Sequence, residues 1–326
     1  MSHRLLLFLV SLCALSLPAR AQDDLSKLFA GPSDSVAASR RPVSATFKAT
    51  RVINLRSTET IARHELDFQV QHRFGDIAGR SGGPHSFFGL DYSTDIRIGF
   101  DYGLTDQLTL GVARVKGNTA QRELYEGSIK YKVLQQAQGG HPPVSVALFG
   151  NAVVSGMKAT MDESLASSFP HFEDRWSYVG QVIIARKFND RLSLALMPSV
   201  VYRQFVEIND DNTVYGLGAA GRFKLTSRVS LIADYVLVRR SQSSRDYYRG
   251  RGLEFYNPLG LGLEVETGGH VFAATFTNST ALLENQFIPE TRSSWAKGEF
   301  RWGFTIARRF ALGHGKNVSR PGRRRK

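Results

Sequence analysis

A single cysteine, Cys13, occurs in the 326 residues, and it falls inside an N-terminal apolar stretch. Residues 22–326 therefore hold no disulfide, no thiolate nucleophile and no cysteine-ligated zinc or iron–sulfur centre. Long apolar runs are equally scarce. The only one, Leu5–Leu17, is shorter than the roughly 20 residues of a transmembrane helix. Mean hydropathy is -0.21 and 22% of residues are charged, which excludes a bundle of membrane helices. No 3.6-residue apolar period appears after residue 21. A Walker A loop, a dinucleotide fingerprint, a His-Glu-x-x-His pair and a nucleophile elbow are also missing. A transmembrane barrel survives all these exclusions, because its strands bury only alternate residues in lipid.

The N-terminus has the features of a secretory signal. Arg4 precedes the apolar run from Leu5 to Val10, and Ala19-Arg20-Ala21 offers a small-x-small cleavage site, giving a signal peptide over 1–21 and Gln22 as the mature start. The net charge of +13 falls to +11 without Arg4 and Arg20, and to +5 without the six basic residues beyond Phe310. An exported chain with such a tail meets anionic envelope components, so nucleic acid is not an expected partner.

Period-two alternation then recurs from segment to segment. Leu66, Phe68 and Val70 oppose Asp67, Gln69 and Gln71; Ile96, Ile98 and Phe100 oppose Arg97, Gly99 and Asp101. Leu261, Leu263 and Val265 oppose Gly262, Glu264 and Glu266, and Trp302, Phe304 and Ile306 oppose Gly303, Thr305 and Ala307. The pattern predicts twelve strands: 63–73, 94–102, 108–116, 124–134, 143–154, 175–187, 192–205, 213–224, 228–239, 257–266, 270–278 and 297–310. About 9–14 residues each suits tilted strands that cross a bilayer. Short and generally longer connections alternate, with both termini on the short-turn side. The turns near 103–107, 188–191 and 225–227 repeat one design: an aromatic or its neighbour, a polar turn, then a new strand.

Hydrocarbon cannot satisfy a free sheet edge, so the strands are expected to close into an all-β, transmembrane antiparallel barrel. The expected organisation is a signal peptide over 1–21, a periplasmic leader or plug over 22–62, the barrel over 63–310 and a basic periplasmic tail over 311–326. Within the leader, 45–55 reads as a weakly amphipathic first strand or as a plug at the periplasmic end. The polar faces of the strands place Asp67, Arg73, Arg97, Asp101, Lys130, Lys132, Arg203, Arg222, Asp234, Glu264, Glu266 and Arg301 in the lumen. Such mixed charge fits either a narrow aqueous pore or an ion-paired, occluded interior. The alternating glycines of Gly216-Leu-Gly218 and Gly260-Leu-Gly262 read as relief for crowding or curvature rather than phosphate cradles.

Two polar clusters are candidates for chemistry. Glu264, Glu266 and His270 flank the Thr267-Gly-Gly269 turn and have donors suited to a divalent metal, although a tight hairpin with paired charges accounts for them more simply. His72, Arg73, Asp76, His85, Ser86, Asn278 and Ser279 fall near strand ends on the long-loop side, where a lipid hydrolase would meet acyl chains. Loop polarity is again the simpler reading. No residue is assigned as catalytic, cofactor-binding or metal-binding, no cofactor is expected, and the protein is not expected to be an enzyme.

Several segments together resemble a family of bacterial membrane β-barrels, domain of unknown function 5777. They include Phe47-Lys-Ala-Thr-Arg-Val-Ile-Asn, His72-Arg-Phe-Gly-Asp76, Phe88-Gly-Leu-Asp91, Asp95-Ile-Arg-Ile-Gly, Ala185-Arg-Lys-Phe-Asn-Asp-Arg-Leu-Ser and Glu266-Thr-Gly-Gly-His-Val-Phe. The resemblance spans about Phe47 to Phe310 and implies an outer-membrane barrel, without supplying a substrate or catalytic residues. The expected location is the outer membrane of a Gram-negative bacterium, both termini periplasmic. The expected partners are outer-membrane lipids, barrel assembly machinery during biogenesis, and either small polar solutes or an envelope protein. A narrow porin-like channel is the first functional expectation. A structural or partner-binding barrel using loops 155–174 and 240–256 is the second, and an outer-membrane lipid hydrolase the third.

Overall fold

The structure is a computed structural model that describes residues 41–43, 45–117, 121–162 and 165–312. The expected signal peptide, about half of the leader and nearly all of the basic tail lie outside the described residues. Twelve antiparallel strands form one closed barrel. They are β1 (Glu65–Asp76), β2 (Ser93–Gly103), β3 (Leu108–Gly117), β4 (Glu123–Leu134), β5 (Ser145–Ser155) and β6 (Trp176–Lys187), followed by β7 (Leu192–Arg203), β8 (Thr213–Lys224), β9 (Val229–Arg239), β10 (Leu259–Thr267), β11 (His270–Thr277) and β12 (Arg301–Ala311). Every strand pairs with its neighbours in sequence. β1 closes on β12 in a register that runs from Glu65↔Ala311 to Arg73↔Gly303 and then shifts to Asp76↔Arg301. Closure leaves no unpaired edge for the hydrocarbon to strip of water.

The outer wall is apolar. Ile98, Phe100, Leu110, Val112, Ile129, Leu148, Leu194, Leu196, Leu217, Leu231, Leu237 and Leu263 are all exposed large hydrophobics on strand faces. Leaving such side chains in water forfeits roughly 1.5–3 kcal/mol apiece, so this wall belongs in lipid. Tyrosines mark its long-loop rim at Tyr125, Tyr178, Tyr202 and Tyr215, whereas Tyr102, Tyr131, Phe188, Phe223 and Phe310 mark the short-turn rim. Amphipathic rings are favoured at both levels of a bilayer interface.

Most strand ends fall within one to three residues of the expected ones, and two expectations change more. The last strand begins at Arg301 rather than 297, because Trp295–Lys297 is a 3-10 turn closed by Gly298 in the left-handed region (φ 75°). Residues 45–55 are not a strand of the barrel. They run into the lumen and return through 56–62 as a hairpin whose arms share an isolated bridge, Arg51↔Arg56. A weakly apolar face of this kind has no lipid to meet; it meets the inside of the wall.

Two short helices complete the long-loop side: α1 (Gln242–Gly250) between β9 and β10, and α2 (Glu284–Glu290) between β11 and β12. The loop carrying α2 dips inward, burying Leu283, Glu284, Phe287 and Ile288.

Candidate functional site

The lumen has two unlike halves. Along β5 to β9 it carries an apolar core, with Phe149, Val179, Ile183, Met197, Val201, Val214, Ile232 and Val236 facing inward among polar residues such as Gln181, Arg222 and Asp234. Phe47, Val52, Ile53 and Leu55 of the hairpin pack on this half from the short-turn side, and Phe287 and Ile288 of α2 pack on it from the long-loop side. Along β1 to β4 most inward residues are polar or charged, among them Asp67, Gln69, Gln71, Arg73, Asp95, Arg97, Asp101, Glu126 and Lys130, all buried, with Val115 and Leu124 as apolar exceptions.

The hairpin tip is built around one wall carboxylate. Asp234 Oδ2 accepts the backbone N–H of Ile53 (3.2 Å), Asn54 (2.6 Å) and Leu55 (2.9 Å), while Oδ1 accepts from Asn54 Nδ2 (2.7 Å). Val52 N donates to Leu55 O at 2.8 Å and Ser57 N to Thr50 O at 3.0 Å, which holds the turn tight enough to aim three successive N–H groups at one anion. The wall makes room for it through glycine. A Cβ on Gly218 would stand 2.7 Å from Leu55 Cδ1, and one on Gly260 would stand 2.8 Å from Ile53 Cγ2 and 2.9 Å from Asn54 Nδ2. The crowding relief expected of these two glycines is thus relief for the hairpin.

Charge locks the hairpin to both the wall and the long loop that carries α2. Arg56 donates to Glu126 of β4 (2.5 Å) and to Glu284 of α2 (2.9 Å), and its guanidinium lies 4.3 Å from the Phe149 ring centroid. Arg97 of β2 completes Glu126 through two hydrogen bonds, at 3.0 and 2.8 Å, and Asn151 adds a third neighbour at 3.0 Å. Arg51 reaches Glu284 at 3.2 Å and the Leu282 carbonyl at 3.3 Å. The side chains of Arg51, Arg56, Arg97, Glu126 and Glu284 are all at most 3% exposed. Arg73 joins the two bodies from the wall, donating to Asn54 Oδ1 (2.5 Å) and to the carbonyls of Ser279 (3.2 Å) and Ala281. Near the short-turn end, Lys130 donates to the carbonyls of Thr50 and Glu59 at 3.0 Å each, and Lys48 pairs with Glu266 at 2.8 Å.

The sequence-derived lumen residues all point inward, several into these contacts, but the proposed chemical clusters disperse. Glu264 pairs with Arg222 (2.7 Å), Glu266 is taken by Lys48, and His270 stacks on Phe272. Among the described residues, no group of three or more His, Cys, Asp or Glu could hold a metal ion. His72 faces outward and stacks on Phe304, Asp76 pairs with Arg301, and Ser86 Oγ bonds within its own turn to Gly83 O and Gly89 N. Ser279 shares its hydroxyl with Thr291, and Asn278 braces backbone at Asn257, Leu259 and Ser293. Sequence reasoning missed Glu126, Glu284, Arg51, Arg56 and Asn54. Glu126 was available from the alternation of β4, whose Leu124, Glu126, Ser128 and Lys130 share a face. Glu284 opens the seven-residue helix α2, too short for a period to mark which of its side chains are buried.

A second charged group lies on the long-loop side, above the lumen. Asp210 pairs with Arg203 (3.0 Å) and with Arg240, and Arg203 also pairs with Glu290 at 2.8 Å. Burial alone would raise the Asp210 carboxyl, but the Arg203 and Arg240 guanidinium groups prevail and hold it below the usual range.

Among solved structures, the chain is similar in fold to the porin NanC, at 10% identity over 74% of this chain and 97% of that one, with a TM-score of 0.44. It is also similar to the KdgM porin in complex with disordered oligogalacturonate (8% identity, 75% of this chain, 98% of that one, TM-score 0.43). A third similar structure is the COG4313 outer membrane channel from Pseudomonas putida F1 (12% identity, 78% and 98%, TM-score 0.43). No curated protein matches the chain. Residues 47–310 match the family described as the membrane bound beta barrel domain (DUF5777). That span takes in the lumenal hairpin as well as the twelve strands, and the chain belongs to this membrane-bound β-barrel family.

Proposed function

We propose that the protein rests in the outer membrane as a closed barrel, with its short turns and both termini in the periplasm, and works through its long-loop face rather than as a standing pore. The observation that carries this reading is Arg56, which ties the hairpin to Glu126 of the wall and Glu284 of the outer loop inside one buried cluster. A water-filled passage needs a polar lining, and the β5 to β9 side of this lumen carries an apolar core shared with Phe47, Val52, Ile53 and Leu55. Withdrawing those four side chains forfeits roughly 1.5–3 kcal/mol each, at least about 6 kcal/mol together. At about 1.4 kcal/mol per factor of ten, spontaneous opening then involves fewer than about one barrel in ten thousand. Passage of small polar solutes, the other reading of this fold, requires the hairpin to leave.

Planar-bilayer conductance separates the two. The full chain is expected to give no current above a protein-free bilayer, and a chain lacking residues 45–62 is expected to give discrete steps. Steady conductance from the full chain, unchanged by the deletion, overturns the closed reading.

A further inference from the structure

The long-loop face carries a cleft that neither the barrel nor its closure uses. Ser241 caps α1 by accepting from Ser244 N, and the helix presents Arg245 and Arg249 four residues apart on one exposed face. With Leu253, Glu254, Phe255 and Tyr256 these arginines line a cleft of about 210 Å³. Neither guanidinium is held in a buried ion pair. Arg245 donates to the neutral Gln242 Oε1 (2.7 Å), and Arg249 lies 3.3 Å from Asp246, where both are exposed and screened by water. The one acid in the cleft is already compensated, because Glu254 accepts from the Tyr256 hydroxyl and lies 3.6 Å from Lys297 Nζ. Arg251 over Tyr247 (4.3 Å) and Arg292 over Phe255 (5.4 Å) add further positive charge around it.

The floor is pre-ordered. Arg240 stacks 3.8 Å from the Phe255 centroid while pairing with Asp210, Tyr248 donates to Glu207 at 3.0 Å, and Tyr256 N bonds Thr291 O at 2.9 Å. Three loops therefore fix the aromatic surface before anything binds, which limits the ordering cost of binding.

We propose that this cleft binds an anionic saccharide, with Arg245 and Arg249 holding sugar-borne carboxylates or phosphates and Phe255 and Tyr256 supporting the apolar face of a ring. Guanidinium forks match both anions in bidentate geometry, and an aromatic beside them offers apolar area with a polar tip. The cleft is smaller than the roughly 300–1,000 Å³ of pockets that engulf a drug-sized ligand, so it grips one ring of a longer chain that passes across the barrel mouth. The proposal names a ligand for the outer face and rests on the reading that this face is the working one. Binding is measured without reference to current, so the failure of one is distinguishable from the failure of the other.

The test uses the full chain in detergent micelles, titrated calorimetrically with hexamannuronate, uncharged mannohexaose and hexaglutamate, and separately with lipopolysaccharide-containing and lipopolysaccharide-free vesicles after reconstitution. Hexamannuronate is expected to bind at least about tenfold more tightly than mannohexaose or hexaglutamate, with affinity falling as salt rises. The Arg245→Glu/Arg249→Glu double variant is expected to lose at least about tenfold, Arg245→Lys/Arg249→Lys to retain part of the affinity, and Tyr256→Leu to weaken it several-fold. Far-UV circular dichroism checks that each variant keeps the barrel. Binding of hexamannuronate identifies a free acidic saccharide as the ligand, whereas charge-reversal-sensitive binding of the lipopolysaccharide vesicles alone identifies the membrane's own glycolipid. No binding in either arm, hexaglutamate binding as tightly as hexamannuronate, or affinity unaffected by the double charge reversal overturns the proposal.

Discussion

Asp234, midway along β9, accepts the backbone N–H of Asn54 at 2.6 Å, and the N–H groups of Ile53 and Leu55 converge on the same oxygen. The hydrogen bonds of a wall carboxylate are thus supplied by the tip of a segment 180 residues away in sequence. Lipid-facing strands fix where Asp234 stands, and the hairpin supplies the donors that let it stay there in the absence of water. Closing the lumen and satisfying its buried charge are one structural event.

Removing one member of the central ion cluster is the sharpest chemical test of that coupling. Glu126→Ala leaves Arg97 and Arg56 without their shared carboxylate in a site closed to solvent. Breaking a buried pair from one side costs about 3–5 kcal/mol. The variant is expected to unfold from detergent at lower urea than the parent and to flicker open in bilayers. An unchanged denaturation midpoint together with unchanged silence in the bilayer contradicts the role assigned to Glu126.

The two lumen glycines make a steric prediction. Gly218→Val and Gly260→Val add branched carbon where Leu55, Ile53 and Asn54 already lie, so each is expected to expel the hairpin tip and raise conductance while leaving the strand content intact. Gly150→Ala is the control, since the nearest atom to its added carbon is 3.6 Å away. Silent bilayers with both valine variants would mean that the tip does not depend on those gaps.

Acidification is expected to loosen the long-loop platform around Asp210. The Asp210 carboxyl is lower in the folded protein than in the unfolded chain, so its contribution is fully present above the unfolded value near 3.9 and is lost as pH falls through the lower folded value. Limited proteolysis of the 240–256 loop is expected to be unchanged from pH 7 to 5 and to accelerate below about pH 4. Asp210→Asn is expected to show faster cleavage already at neutral pH. A cleavage rate in the parent that rises between pH 7 and 5 would point to another group.

Alternation carried most of the architecture. The outward faces of β2, β3, β6 and β7 are set by Ile98, Val112, Ile184 and Leu196, whose period two is enforced by lipid, and loop parity followed from the same strands. The plug was harder to read because 45–62 obeys neither period: Val52, Ile53 and Leu55 are buried by a partner far away in sequence, with Asn54 among them and Arg51 and Arg56 on either side. One clue lay in the wall itself. Val179, Ile183, Met197, Val201 and Val236 are apolar on the side that a water-filled barrel would make polar, and apolar residues on both faces of β6 to β9 imply something packed inside. Glu284 left no comparable trace, since its burial comes from the inward dip of a short helix rather than from a strand register.

The most direct test of the lumenal hairpin uses the absence of cysteine after Cys13. Ser57→Cys is a near-isosteric change at a position that is 0% exposed within the hairpin, and Asp190→Cys marks an exposed position on the turn between β6 and β7. Both are made in the full chain, reconstituted in vesicles and treated with a maleimide that has access to both sides of the membrane. The account predicts that Ser57→Cys reacts at least about a hundredfold more slowly than Asp190→Cys, as expected for a buried thiol, and equally fast once the barrel is unfolded. Equal rates in the folded barrel would place the hairpin outside the lumen and contradict the account.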